Sequence, residues 1–250
     1  MRKLPILAAV KHALNSVIVY RSAGIRICLL WILILLALNL IGEFFIGEPA
    51  APLSGRAGLF IFILLAVNLT AFSSIAVSWN RFVLRDELPA ALGSLRLDGP
   101  VWRYAGNSLL IGLITFLPVA LFAAILMALM PPAVILALPA AAAMGAASFM
   151  LSLKLPAIAI GRTDFGLADA LKACEGNFWQ IMGVVLLGTA IVFALWLTLV
   201  ILTALLSHLP PAIGTIIELP VSVAINIFLN LFVAGMLTSI YGFFVERRDF

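Results

Sequence analysis

The chain has 250 residues, of which 64% are hydrophobic and only 10% charged, with a formal net charge of +4. A soluble domain carries about a quarter charged residues, so this composition excludes a globule covered by polar surface. Two cysteines, Cys28 and Cys174, are too few for a disulfide framework. The basic residues are dispersed along the chain and do not form a strand-binding run, so nucleic acid is not expected as a partner.

In chain order, Arg2 and Lys3 resemble the basic start of a leader. The apolar run from Leu4 to Val10 is broken by Lys11 and His12, and no small-residue cleavage site follows. The segment is therefore expected to be retained. Ile6, Leu7, Val10, Leu14, Val17 and Ile18 recur at the helical period opposite Lys11, His12, Asn15 and Ser16. This predicts an amphipathic helix. Six apolar stretches then follow, at 26–46, 57–79, 107–130, 132–154, 180–206 and 217–244. Each is long enough to cross a bilayer as a helix, which takes about 18 residues or more. The alternation of a membrane barrel is absent, and the expected class is an all-α, polytopic membrane protein with six spans.

Two further short helices are expected between spans. In 86–97, Leu88, Ala91, Leu92 and Leu95 share a face, with Asp86 placed to cap the start. In 164–175, Leu167, Ala170, Leu171 and Cys174 share a face against Asp169, Lys172 and Glu175. These two, with the N-terminal helix, read as three elbows lying on the membrane surface. Trp102, Tyr104 and Trp179 are then expected at headgroup depth, where amphipathic rings gather.

Of the fifteen Lys and Arg, all but Arg56 fall on one side of this arrangement. Basic residues resist translocation, so both termini are expected to be cytoplasmic. Arg85, Arg96, Arg103, Arg162 and Lys172 would face anionic lipid there, each adding roughly 1 kcal/mol. With Trp102 and Trp179 they form a candidate interface for lipid or for a membrane-protein partner.

The exits of the even spans are alike. "SWNRFVLRDE" and "SIYGFFVERRDF" each hold an aromatic, a Phe-Val pair, an Arg and an acid, and "LPAIAIGRTD" adds Arg162 and Asp164. Arg85 precedes Trp102, and Arg162 precedes Trp179, by the same interval. Three units, 1–85, 86–162 and 163–250, each an elbow plus a two-helix hairpin, are expected. Coincidence among apolar segments is the competing reading.

These units, the passage "LPAIAIGRTDFGLADALKACEGNFW" and the Arg-bearing exits resemble the bacterial YciC-like inner-membrane proteins. They are also similar to the membrane domain attached to some glycerophosphodiester phosphodiesterases. The resemblance implies a bacterial cytoplasmic-membrane location and a helical membrane domain concerned with the envelope or its lipids. It implies no catalytic residues, and no attached phosphodiesterase domain is expected within these 250 residues.

Chemistry-bearing patterns are sparse. The two histidines, His12 and His208, lie outside the spans, and neither HExxH, Cys-x-x-Cys nor a phosphate-binding glycine loop occurs. No cofactor is expected. Ionisable residues within spans are functional candidates by default, and Glu43 and Glu218 qualify. Both also suit ordinary solvated carboxylates near the outer surface. Asn39, Asn68, Thr115, Ser148, Asn226 and Asn230 lie deep in spans, and Asn226 and Asn230 share a face. Such groups either line a pathway or join helices by hydrogen bonds, and joining is the commoner use. Pro118, Pro139 and Pro220 are expected to interrupt spans three, four and six, and Ala141 with Gly145 to let span four approach a neighbour.

The sequence therefore points to a non-catalytic inner-membrane protein: a scaffold, assembly factor or accessory subunit, or a protein of envelope lipid homeostasis. The alternative is a small-solute transporter or channel using Glu43, Glu218, Asn226 and Asn230. A cavity reaching the middle of the bilayer would favour the alternative.

Overall fold

The structure is a computed structural model that describes residues 2–46, 55–89, 95–129, 135, 137–208 and 210–250. Among these residues nine α-helices occur and no strand: α1 Ile6–Val19, α2 Arg21–Ile46, α3 Gly55–Arg85, α4 Gly99–Leu129, α5 Ala137–Ser152, α6 Lys154–Ala159, α7 Leu167–Ala173, α8 Phe178–Leu206 and α9 Pro211–Phe244. Six helical segments are long and apolar enough to cross a membrane: 21–42, 55–85, 99–129, 137–159, 178–206 and 216–244. These match the six expected stretches, and the chain has the build of a multi-pass membrane protein. At 1.5 Å per residue α9 is about 50 Å long, well beyond the roughly 30 Å hydrocarbon core of a bilayer.

Helices α3, α4, α5, α8 and α9 pack in a ring in that order, with α9 closing on α3. Helix α2 lies outside the ring against α3 and α9, and α1 crosses α8 and α9. The short α6 touches α3, α4, α5 and α9 at the end of the bundle that holds both termini. The core concentrates at this terminal end. Most buried residues of α3 lie between Ala71 and Leu84, of α9 between Leu231 and Phe243, and of α8 between Ile181 and Gly188. Toward the other end the large apolar side chains turn outward, among them Phe116, Leu121 and Ile125 of α4 and Phe193 and Trp196 of α8. Exposed apolar surface on this scale needs a cover, and lipid supplies one to helices of this length.

Several details differ from expectation. The third long helix starts at Gly99, so Trp102 to Tyr104 belong to it. Tyr104 is not at the surface. It is buried with its ring set edge-on toward Phe72. The fourth span is not broken at Pro139, which stands in the first turn of α5, but at Leu153 between α5 and α6. Pro156 explains the break: it has no N–H for the Ser152 carbonyl, and its ring crowds that carbonyl. Gly145 has only ordinary contact with Val185, and Ala141 is exposed. The close approaches occur elsewhere. A Cβ on Gly183 of α8 would meet Ile6 Cδ1 of α1 at 2.6 Å, and one on Gly24 of α2 would collide with Leu231 of α9.

The expected helix over 86–97 is not found at its described residues: 86–89 and 95–97 are non-helical, and 90–94, with Ala91 and Leu92, lie outside the described residues. Asp86 is not a cap. It takes a left-handed conformation (φ 54°) that ends α3. Helix α1 buries Ala9, Val10, Ala13 and Val17 but leaves Leu7 and Ile18 exposed. Helix α7 forms within 164–175, with the Gly166 N–H donating to the Asp169 carboxylate at 2.8 Å.

The exits of α3 and α9 share a backbone geometry. After α3, Asp86 is left-handed and the Glu87 N–H reaches the Arg81 carbonyl six residues back. After α9, Arg247 is left-handed (φ 58°) and the Arg248 N–H reaches the Gly242 carbonyl, also six back. At the end of α6 the left-handed residue is Gly161, with Arg162 N–H donating to Ala157 O at 2.8 Å, a Schellman closure.

Candidate functional site

Where the bundle loosens away from the terminal end, a cleft of about 660 Å³ opens between α2, α3 and α9. Four asparagines from three helices meet in it: Asn39 of α2, Asn68 of α3, and Asn226 and Asn230 of α9. Ser222 joins them, and Leu35, Leu65 and Phe72 form apolar walls. Asn68, Asn226 and Asn230 fall near the middle of their helices. The volume lies within the roughly 300–1,000 Å³ of small-molecule sites.

Each amide nitrogen donates along its own helix to the carbonyl four residues back. Asn39 Nδ2 reaches Leu35 O at 2.7 Å, and Asn68 reaches Leu64 O at 2.8 Å. Asn226 reaches Ser222 O and Asn230 reaches Asn226 O, each at 2.8 Å. Among the described residues no hydrogen bond joins two of these amides across helices, so they do not act as interhelical glue. Each keeps an acceptor oxygen and a second N–H for the cleft. None of the lining side chains is charged.

The carboxylates of the alternative reading stand apart from this face. Glu218 is half-buried and accepts a hydrogen bond from Thr203 Oγ1 of α8 at 2.8 Å; it does not line the cleft. The Glu43 side chain lies outside the described residues. Ser148 belongs to a second cavity, of about 330 Å³, with Tyr104 and Ser108. Thr115 is buried and donates to Ile111 O at 2.7 Å.

At the terminal end, the residues expected to face lipid divide into two kinds. Arg96 is neutralised by Asp98 at 2.8 Å and Glu87 at 3.0 Å, and Glu87 also meets Arg81 at 3.2 Å. Burial pulls the Arg96 guanidinium downward, but the two carboxylates outweigh it and hold it above its ordinary range. Arg162 meets Asp164 at 3.1 Å and the Tyr241 hydroxyl at 3.4 Å. The hydrogen bond from Arg162 keeps the exposed Asp164 carboxyl below its usual value. Arg85, Arg103 and Lys172 are exposed and carry no ion pair among the described residues. Trp102 is 55% exposed, with its indole N–H on Leu97 O at 3.1 Å, and Trp179 is 72% exposed.

Lys172 lines a cavity of about 330 Å³ together with Arg2, Arg247, Glu175, Asn177 and Phe243. The sequence reading selected Lys172 alone from this group. Residues 2, 172 and 247 share no helix or period, so only the folded chain brings them together. Asn80 was also missed. It is fully buried, and its Oδ1 accepts from Thr238 Oγ1 at 2.9 Å, linking α3 to α9.

Among the described residues no three His, Cys, Asp or Glu side chains cluster in a way that could hold a metal ion. Cys28 and Cys174 are buried and unpaired, and burial pushes the Cys174 thiol up to about 12. No family model, curated protein or solved structure matches the chain.

Proposed function

We propose that this chain is a non-catalytic protein of the bacterial inner membrane that holds an uncharged polar group of an amphipathic molecule, in the service of envelope lipid homeostasis. The observation that carries the reading is the convergence of Asn39, Asn68, Asn226 and Asn230 on one uncharged cleft at mid-helix depth. Amide oxygens facing hydrocarbon without a donor are costly. A ligand hydroxyl or amide, or water drawn in with it, supplies that donor. The apolar walls suit an attached chain.

The finer features of the proposal rest on the sequence and on local geometry. Both termini face the cytoplasm, following the basic residues. The YciC-like resemblance is kept as part of the reading. The matched exits after Asp86 and Arg247 support repetition of the first and third units, in a register one residue removed from the alignment of Arg85 with Arg247. The interfacial elbows narrow to α1 and α7. Cysteine labelling from outside the cell at position 207 and not at 248 checks the orientation.

The test is mass spectrometry of molecules that travel with the protein in native lipid patches. The wild type should carry a neutral hydroxyl- or amide-bearing molecule that the Asn226→Leu/Asn230→Leu variant loses. Equal cargo in both proteins, or none in the wild type, would sink the reading. A stoichiometric protein partner would point instead to an accessory subunit or assembly factor. The same cleft gives transport of a small neutral solute its footing, with Asn226 and Asn230 in the pathway and Glu218 outside it. Solute flux in proteoliposomes that the double variant abolishes would favour that second reading.

A further inference from the structure

The cavity at the terminal end is built from three parts of the chain that are far apart in sequence, and its chemistry is unlike that of the amide cleft. Asn177, 1% exposed, anchors it: Oδ1 accepts the Leu4 N–H at 3.0 Å, and Nδ2 donates to the Arg2 carbonyl at 3.1 Å. These bonds fasten the N-terminal segment to the turn before α8. The Arg2 guanidinium lies over the Phe243 ring at 4.0 Å and is paired with Asp249. Lys3 Nζ donates to the Gly176 carbonyl at 2.7 Å beside it. Lys172 enters from α7. Arg247 enters from a left-handed residue, a conformation unfavourable for a side chain with a Cβ. Its neighbour Arg248 is neutralised by Glu246 at 2.7 Å. Arg247 has no such partner among the described residues and lines the pocket.

Four cations, Arg2, Lys3, Lys172 and Arg247, thus stand against two carboxylates, Glu175 and Asp249. The remaining walls are Phe243, Phe244 and Ala173. A surplus of positive charge beside apolar walls, at the end of membrane-crossing helices, matches a molecule with an anionic head and a hydrocarbon body. We propose that this pocket binds the phosphate of an anionic phospholipid, with Lys172 and Arg247 as its principal contacts. The apolar walls favour a lipid phosphate over free phosphate. The proposal stands independently of the amide cleft.

Native mass spectrometry of the detergent-purified protein tests it, with dioctanoyl phosphatidylglycerol, dioctanoyl phosphatidylcholine and inorganic phosphate as probes. Phosphatidylglycerol should bind as one tight equivalent. Removing two head-group cations in Lys172→Gln/Arg247→Gln should weaken it about thirtyfold. Arg247→Gly, which also relieves the backbone, should weaken it by part of that amount and guards against misfolding of the double variant. Arg21→Gln/Arg26→Gln, which removes exposed charge outside the pocket, should leave it unchanged. Equal weakening by that control would reduce the effect to diffuse surface charge and overturn the site. Phosphatidylcholine binding as tightly as phosphatidylglycerol would overturn the role of the anion. Inorganic phosphate binding as tightly as phosphatidylglycerol would overturn the lipid as its source.

Discussion

Asn80 and Thr238 meet between α3 and α9, in the buried core at the terminal end of the bundle. Asn80 Nδ2 also donates to Ala76 O at 2.7 Å, and the single Thr238 hydroxyl proton is shared between Asn80 Oδ1 and Ala234 O, the latter at 2.7 Å, so both ends of the link are tied to their own helices. Asn80→Ala removes an acceptor from a buried hydroxyl and leaves a void. The expected cost is about 1–3 kcal/mol, read as a lower melting temperature in detergent, and Thr238→Val should cost a similar amount because it leaves the buried Asn80 Oδ1 without its donor. A melting temperature unmoved by Asn80→Ala would show that the link contributes nothing. Residues of this kind are only half legible in a sequence. Asn226 and Asn230 could be assigned to one face from their spacing, because helical period is a local property. That Asn39 and Asn68 would join them could not, because no spacing along the chain encodes which helices are neighbours. The separation of Glu218 from that face has the same origin, since its partner Thr203 lies on α8.

Among the elements, the six long apolar helices were legible because length and hydropathy decide them without reference to tertiary contacts. At its described residues, 86–89 and 95–97, the segment departs from the expected helix for a physical reason. Its charges looked like the solvated edge of a helix, but Glu87 bridges Arg81 and Arg96, and Asp98 takes the other edge of Arg96. Those side chains close a connection and do not cap a turn. Helix α1 illustrates a second limit. Its apolar face was visible, but its docking depends on Gly183, where α8 presents no side chain to Ile6. A single added methyl could be accommodated by rotation of Ile6, whereas the branches of Gly183→Val could not. That variant should lift α1 and hasten tryptic cleavage at Lys11. A digestion rate equal to that of the wild type would mean that α1 does not depend on this contact.

For the molecule as a whole, the two chain termini close on one another. Beyond Arg2 and Asp249, His12 Nδ1 and Ser239 Oγ are hydrogen-bonded at 2.9 Å, and the His12 ring lies 5.4 Å from that of Phe250. Burial lowers the His12 pKa below its ordinary 6.5. The unfolded chain therefore takes up a proton at a pH where the folded ring resists it. This contribution to stability is fully present above pH 6.5 and is lost as pH falls from 6.5 through the lowered value. The wild type should lose melting temperature over that interval more steeply than His12→Asn. Parallel profiles would remove His12 from the closure.

The placement of α1 also sets an order in time. Its main contacts are with α8 and α9, which are made well after it. At about 5–20 residues per second, the first helix waits on the order of ten seconds or more for its partners after leaving the ribosome. Asp249 and Phe250, which hold Arg2 and His12, emerge later still. Helix α1 thus stays open until α8 and α9 are made, and during that interval its apolar face is available to whatever assists insertion.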